Sequence, residues 1–479
     1  MRPLVGAAVV EREVGYLVFS DVHLGSDVND VSPRGRHRPA QLDDDLGALL
    51  DHYRVTKSLS PSGDWHLVVA GDFIDFVGML VDASDEPLPP SAISDDPGLG
   101  SADTMALRKL ARAVDRHPLV FLAMGRFLAA GHSITFIIGN HDLELHWPVV
   151  QRALREAVAS SVTAIERKRA LERVQIEPIF FWAEGSLFVE HGHRYDPCCV
   201  GAAPLAPHDP RARHRTLPAL SDVLLRLIVR RVDTLDEHGH ENEGLAYYGR
   251  LIVKTGLRGL GNLARAFFGA IGVAVATWWH LVNGGLRTIR RLHLRRLRQF
   301  AVFRRIGWRR LRAFDALAVP PSIASLHGIF STLLLDRIAL FALTPLVMLG
   351  LFFLPASMLS RAAGALAILL LARIAYVTLA NMRNLDAAAR MEQRAHDVAR
   401  LFPAAFIVMG HTHIPVEQPI SFDAVYINTG TWAEEADERG LVTPPAPRTH
   451  FVVEGIGATK GELRVWVSGA GPQPWRQRT

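Results

Sequence analysis

The sequence predicts an α/β fold interrupted by a large helical insertion, and three observations lead to it. Five short apolar runs each end in a tight turn that carries Asp, Asn or His. Helical spacing of apolar residues separates and follows these runs on both flanks of the chain. Between the fourth and fifth runs the composition changes, first to strongly basic and then to strongly apolar.

The organising run is His66 to Phe76, HLVVAGDFIDF, in which four apolar residues lead into Gly71, Asp72 and then Asp75. A short continuous apolar run reads as a strand buried on both faces. Gly71 turns the chain without a Cβ penalty, so Asp72 stands at a carboxyl sheet edge, where α/β proteins keep their chemistry. The same grammar delivers Asp21 and His23 after 16–20, and Asn140, His141 and Asp142 after 134–138. It delivers His191 and His193 after 186–190, and His411 and His413 after 405–409. A single His after a strand is ordinarily a surface or satisfied core residue. Five such runs in register are not ordinary. Hard oxygens mixed with imidazoles suit two divalent metals, manganese first and iron or zinc next, with a shared carboxylate between them.

The ordered set Asp21-x-His23, Gly71-Asp72-x-x-Asp75, Gly139-Asn140-His141-Asp142, His191 and Gly410-His411-x-His413 resembles the calcineurin-like metallophosphoesterase family. The resemblance covers roughly residues 14–200 and 400–470. It implies that Asp21, His23, Asp72 and His413 hold one metal, and that Asp72, Asn140, His191 and His411 hold the other. It makes His141 the catalytic imidazole and Asp75 its orienting partner. It also implies a four-layer αββα sandwich, with residues 1–205 and 401–479 as two parts of one core. Residues 206–400 are then a membrane-associating helical insertion. Within the family, SDVHLG and the long insertion are similar to the UDP-2,3-diacylglucosamine diphosphatases of lipid A synthesis. Those enzymes commonly carry Arg where this chain has His141, and HGD where it has HGH.

At 479 residues the chain has room for two or three domains. Its two cysteines, Cys198 and Cys199, are adjacent, which excludes a disulfide framework and suits a reducing compartment. The apolar run before Glu11 is too short for a convincing signal peptide, so the expected location is the cytoplasmic face of a membrane. Residues 26–40 read as a polar loop whose Arg34, Arg36 and Arg38 could grip a phosphate. A helix is expected at 41–56, an irregular loop at 82–103, and a helical segment from there to about Ala130. Further helix is expected at 147–173, strands at 175–183 and 186–190, and a returning helix at 383–402. Closing strands are expected at 425–432, 450–453 and 462–467.

From Gly244 to Phe314 there is no acid but there are fifteen Lys or Arg residues, in a chain of net charge +5. Eleven arginines fall between Arg287 and Arg312, with apolar residues at three- and four-residue spacing. That pattern predicts a basic amphipathic helix suited to an anionic surface. Ile338 to Met358 then runs 21 residues without a charge, and Ala362 to Ala380 carries only Arg373. The pair predicts a hairpin at 338–380 that spans or lies in a bilayer, the alternative being a buried helical lid. Trp278, Trp279 and His280 close an earlier apolar run, as at a membrane interface.

The expected function is hydrolysis of a phosphoester or pyrophosphate, on a lipid-linked or nucleotide-linked substrate, by water activated between the metals. His193 is a further candidate for substrate contact. A soluble nuclease or cyclic-nucleotide phosphodiesterase, using the arginines for nucleic acid, is the second enzyme class. A metal-binding membrane tether without turnover is a third reading. Apolar stretches flanking the arginines favour lipid over nucleic acid.

Overall fold

The computed structural model describes residues 14–26, 28, 33–79, 99–209, 215–228, 245–355, 357–382, 386–421, 423–433, 447–454 and 460–476. Side chains at 33–40, 245–260, 263, 352 and 380–382 lie outside that description. In the first half the chain runs β1 (Gly15–Phe19), α1 (Pro33–Val55), β2 (Trp65–Val69), α2 (Asp103–Arg116), α3 (Pro118–Ala129), β3 (Ser133–Ile137), α4 (Pro148–Val158), α5 (Ala164–Glu172), β4 (Val174–Glu177), β5 (Phe180–Ala183) and β6 (Gly185–Glu190). The middle is helical: α6 (Leu220–Leu227), α7 (Leu245–His280), α8 (Leu286–Phe303), α9 (Trp308–Asp315), α10 (Leu326–Thr332), α11 (Leu335–Phe352), α12 (Met358–Met382) and α13 (Ala387–Leu401). The chain closes with β7 (Ala404–Met409), β8 (Val416–Pro419), β9 (Val425–Asn428), β10 (Thr449–Glu454), β11 (Lys460–Val467) and β12 (Gly471–Pro474).

Two sheets result. Seven strands run in the order β12-β11-β10-β1-β2-β3-β4, and five in the order β5-β6-β7-β9-β8. β1 to β4 are mutually parallel, with Leu17 beside Leu67 and Leu67 beside Ile134. Alternate residues of a strand point to opposite faces. Leu17, Phe19, Leu67 and Phe136 therefore pack against α1 to α4. Val18, Val68 and Ile137 meet Leu187, Val189, Val408 and Ile427 of the other sheet. Each such apolar side chain contributes about 1.5–3 kcal/mol by leaving water. The outer face of the second sheet is covered by α8, α9 and α13, through Leu297, Phe300, Leu311, Phe314 and Val398.

Several expected elements change at their ends. The loop expected to reach residue 40 ends early, because α1 starts at Pro33, a residue whose missing N–H costs nothing in a first turn. The helix expected to run to Ala130 is two helices, divided before Pro118. The one expected at 147–173 breaks between Val158 and Ala164. The expected strand 175–183 is split around Pro178, and its halves join different sheets. The loop expected at 82–103 lies outside the described residues as far as 98.

The basic helix is also divided, at Arg304–Gly307, where Arg305 takes a left-handed φ of 54°. Its apolar face, Leu297, Phe300 and Phe314, is buried on the second sheet and turned away from solvent. Nine of its eleven arginines are exposed. α11 and α12 differ from every other described helix pair. They lie together through Phe341 and Tyr376, 5.9 Å apart, and expose Phe341, Leu346, Leu359, Leu366, Leu370 and Ile374. None of the window Met358–Leu379 is buried, so the buried-lid alternative does not hold. Two helical stretches, Ala264–Phe303 and Met358–Leu379, are long and apolar enough to cross a membrane. The pair Leu326–Thr332 and Leu335–Leu351, bent by 77°, passes the same test together.

Candidate active site

The site is built at the carboxyl ends of strands from both sheets. β1 leads into Asp21 and His23, β2 into Asp72 and Asp75, and β3 into Asn140 and His141. β6 leads into His191, and β7 into His411 and His413. The backbone at these turns is strained. Asp21, His23, Asp72, His411 and His413 all take φ between 50° and 71°, where side chains other than glycine are uncommon. Among the described residues only Arg305 and Leu334 share that conformation without glycine.

Backbone bonds zip the loops together. The amides of Val22 and His23 donate to Asp72 O at 3.0 Å, and Asp21 N to Gly71 O at 3.2 Å. The chain's far end closes on the same point, with Trp432 N donating to Asp21 O at 3.0 Å. His411 N donates to Asp21 Oδ2 at 3.0 Å across 390 residues. Gly71 and Gly139 have no room for a Cβ, which would strike the His191 ring and the Asp72 carboxylate respectively.

Ligand atoms converge in overlapping groups. Asp21, His23 and His413 form one, and Asp21, Asp72 and His191 another, each within 4.8 Å. His413 Nε2 stands 3.3 Å from Asp21 Oδ1. Asp72 Oδ2 lies 3.8 Å from His23 Nε2 and 3.1 Å from His191 Nε2, between the two groups. Asn140 Oδ1 is 3.0 Å from His191 Nε2. His191 Nδ1 lies 2.9 Å from Ala70 O and must donate there, which leaves Nε2 as the nitrogen able to offer a lone pair once it gives up its proton. His141 Nδ1 sits 2.8 Å from Asp75 Oδ1, and its amide donates to Asp72 Oδ1 at 2.8 Å.

Two other candidates, His411 and His193, are placed differently. His411 approaches His191 ring to ring at 5.2 Å, but its Nε2 faces Asp196 Oδ2 at 3.3 Å in a group with Cys199. His193 is half-buried, 5.3 Å from the His191 ring, and its Nδ1 has no hydrogen-bond partner. The side chains of Arg34, Arg36 and Arg38 lie outside the described residues.

The profile of the calcineurin-like phosphoesterases matches residues 16–261, more than half of the chain. The chain belongs to that family. Its members are metal-dependent phosphoester hydrolases with a dinuclear divalent metal centre. The match includes His141 and His191 and ends before His411 and His413. Comparison with curated proteins finds no match.

The electrostatics of this phosphoesterase suit cations. Asp21 Oδ1 is buried without a hydrogen bond and faces imidazole nitrogens. Burial opposes the charge on Asp72, yet His191, His141 and His23 hold its carboxyl far below the usual range. Burial likewise opposes charge on His191, but Asp72 and Asp21 lift it to about 9. Asp75 and Asp72 lift His141 to about 10 against the same penalty. The carboxylates thus demand positive charge, and divalent metals with nitrogen and oxygen ligands meet that demand while displacing protons.

Two residues without an expected role brace the site. Asp142 Oδ1 accepts from Gly139 N at 2.5 Å and Oδ2 from Phe73 N at 2.9 Å, which ties the β2 and β3 loops together. Burial and the Asp72 charge push its pKa up to about 8. Asp196 takes the Cys198 amide at 2.7 Å and presents its other oxygen to His411. A carboxylate five residues beyond His191, on the same loop, was the available signal for Asp196. A small cavity of about 20 Å³ adjoins Asn140 and His193 and is otherwise largely apolar, with Leu143, Ala203, Leu217 and Ile289 in its walls.

Proposed function

We propose that this phosphoesterase docks on the cytoplasmic face of an anionic membrane and hydrolyses a phosphoester or pyrophosphate in a lipid-linked or nucleotide-linked substrate. The observation that carries the proposal is the α11–α12 hairpin, apolar and exposed, on the same chain as the ligand groups. The nine exposed arginines of the α8–α9 layer add attraction for anionic headgroups, at about 1 kcal/mol each near a surface. The proposal includes the four-layer αββα core, with the helical middle of the chain as its insertion.

Asp21, His23, Asp72 and His413 would hold one metal, and Asp72, Asn140, His191 and His411 the other, with manganese favoured by the donor set. When bound, such a pair supplies positive charge against phosphate oxygens and lowers the pKa of water toward neutrality. Asp72 serves both groups. Asp75 fixes the His141 ring through Nδ1, so the opposite nitrogen is the one able to give a proton to the leaving oxygen. His193, kept neutral by burial and by His191 and His411, would contact substrate from the cavity wall.

An acylated UDP-sugar is the first substrate to test, given the resemblance of SDVHLG and the long helical middle to the UDP-diacylglucosamine branch. Phosphate-bond cleavage should be measured with full-length, Mn²⁺-loaded protein in mixed micelles, against the deacylated UDP-sugar and a single-stranded DNA. Preference for the acylated substrate supports the proposal. Equal rates on both UDP-sugars would keep the nucleotide-linked substrate and remove the lipid-linked one, and cleavage of the DNA alone would overturn the proposal.

A further inference from the structure

We infer that Arg226 is a positioning residue, which holds, through the carbonyls of Phe76 and Val77, the loop that presents Asp75 to His141. The inference rests on the catalytic role proposed for His141. The contacts form one chain. Arg226 Nε donates to Val77 O at 3.2 Å and Nη2 reaches Phe76 O at 3.5 Å. Lys109 Nζ, from α2, donates to the same Phe76 carbonyl at 2.6 Å. On the other side of that loop, Phe76 N donates to His141 O at 3.0 Å. Gly78 N donates to Asp75 Oδ1 at 2.7 Å, the oxygen that also faces His141 Nδ1. Both loop carbonyls are thus gripped by cations, while the Phe76 amide holds the His141 main chain and the Asp75 carboxylate, itself held by the Gly78 amide, meets the imidazole.

The arrangement is costly to build. Arg226 is 5 % exposed and Lys109 1 %, and two neighbouring cations in a protein interior repel. Glu144, Asp222 and Asp75 supply the compensating charge. Uncharged side chains would close the same space at lower cost if packing were the only need. A carbonyl gripped by a guanidinium fork is held in direction as well as distance.

Arg226 also connects the loop to the helical middle. Leu220, Val223 and Leu227 of the same helix pack with Ala270 and Ala274 of α7 and Ile329 of α10. α10 leads directly into α11. Arg226 is therefore a polar link between the body that carries the exposed hairpin and the carboxylate that aims His141.

The test is a double-mutant cycle on full-length, Mn²⁺-loaded protein, using aryl phosphodiesters with a range of leaving groups. Arg226→Gln should lower kcat about 10- to 100-fold, with KM and metal content little changed, as a small misplacement of an acid does. The loss should grow as the leaving group becomes poorer, and Arg226→Lys should recover part of it. In a His141→Ala background Arg226→Gln should add nothing further. Losses that add in that background, a loss independent of leaving group, or unchanged kcat would overturn the inference. If the Gln variant does not fold, Arg226→Lys carries the same cycle, since it keeps the charge but loses the fork. Full turnover in His141→Ala alone would overturn the role of His141, and this inference with it. Strong dependence on His141 with none on Arg226 would remove only the link.

Discussion

Asp72 Oδ2 and His191 Nε2 lie 3.1 Å apart, and the same carboxylate oxygen faces His23 Nε2 at 3.8 Å on the other side. One oxygen therefore lies between two sets of ligands. Asp72→Asn should cost more activity than replacement of any other ligand and should reduce bound metal in both groups. Metal analysis beside hydrolysis of an aryl phosphodiester with added Mn²⁺ decides it. Two retained metals and full turnover would show that Asp72 is not shared.

His141 is expected to act on the leaving group and not to bind metal. His141→Ala should keep the metals and slow turnover by about 10²–10⁴-fold, the usual value of an acid–base group. Asp75→Asn should do less, because the ring remains and only its aim is lost. Collapse of metal content in the alanine variant would make His141 a ligand.

The hairpin and the arginines should separate by salt. Wild-type protein is expected to stay with anionic vesicles at high salt, whereas a chain lacking residues 338–380 should bind them only at low salt. Charge reversal of several arginines among Arg287, Arg290, Arg291, Arg295 and Arg298 should weaken binding to anionic vesicles far more than to neutral ones. Protein that sediments alone at every salt concentration would end the membrane reading.

Acid stability has a separate source, outside the ligand groups. His450 is fully buried, its Nε2 3.0 Å from the Tyr53 hydroxyl, and burial together with Arg464 and His52 pushes its pKa down to about 3. The folded ring stays neutral while the unfolded ring takes a proton below about 6.5, so acid favours unfolding. Stability should be intact above that pH and fall by up to about 1.4 kcal/mol per unit between 6.5 and 3. His450→Gln, which cannot take the proton, should flatten that slope in denaturant titrations. An unchanged slope would place the acid sensitivity elsewhere.

The ligand loops were legible because strand, turn and ligand lie within about ten residues of one another in sequence. Asp21, Asp72, Asn140, His191 and His413 could be picked out without tertiary information. What was hidden depends on distant packing. Asp196 matters only because His411 lies opposite it, and Arg226 because α6 crosses the Phe76 loop. The start of α1 was missed because its first turns carry arginines and no apolar stripe. The sheet change at Pro178 was missed because both halves of that run are apolar and strand-like. The arginine-rich stretch shows its helical spacing in sequence, but spacing alone does not say that the second sheet claims its apolar face.

The bond between Asp21 and the amide of His411 has a consequence for the order in which a ribosome makes this protein. At about 5–20 residues per second, roughly 20–80 seconds separate the two partners during synthesis. Both hairpin helices, Leu335–Phe352 and Met358–Met382, leave the ribosome within that interval, ahead of His411 and His413. On the membrane reading, the nascent chain reaches the bilayer before its last ligands exist. On the same reading translation would deliver the protein to its surface in an inert form, and a chain that stops short of residue 411 would lack two of the proposed ligands.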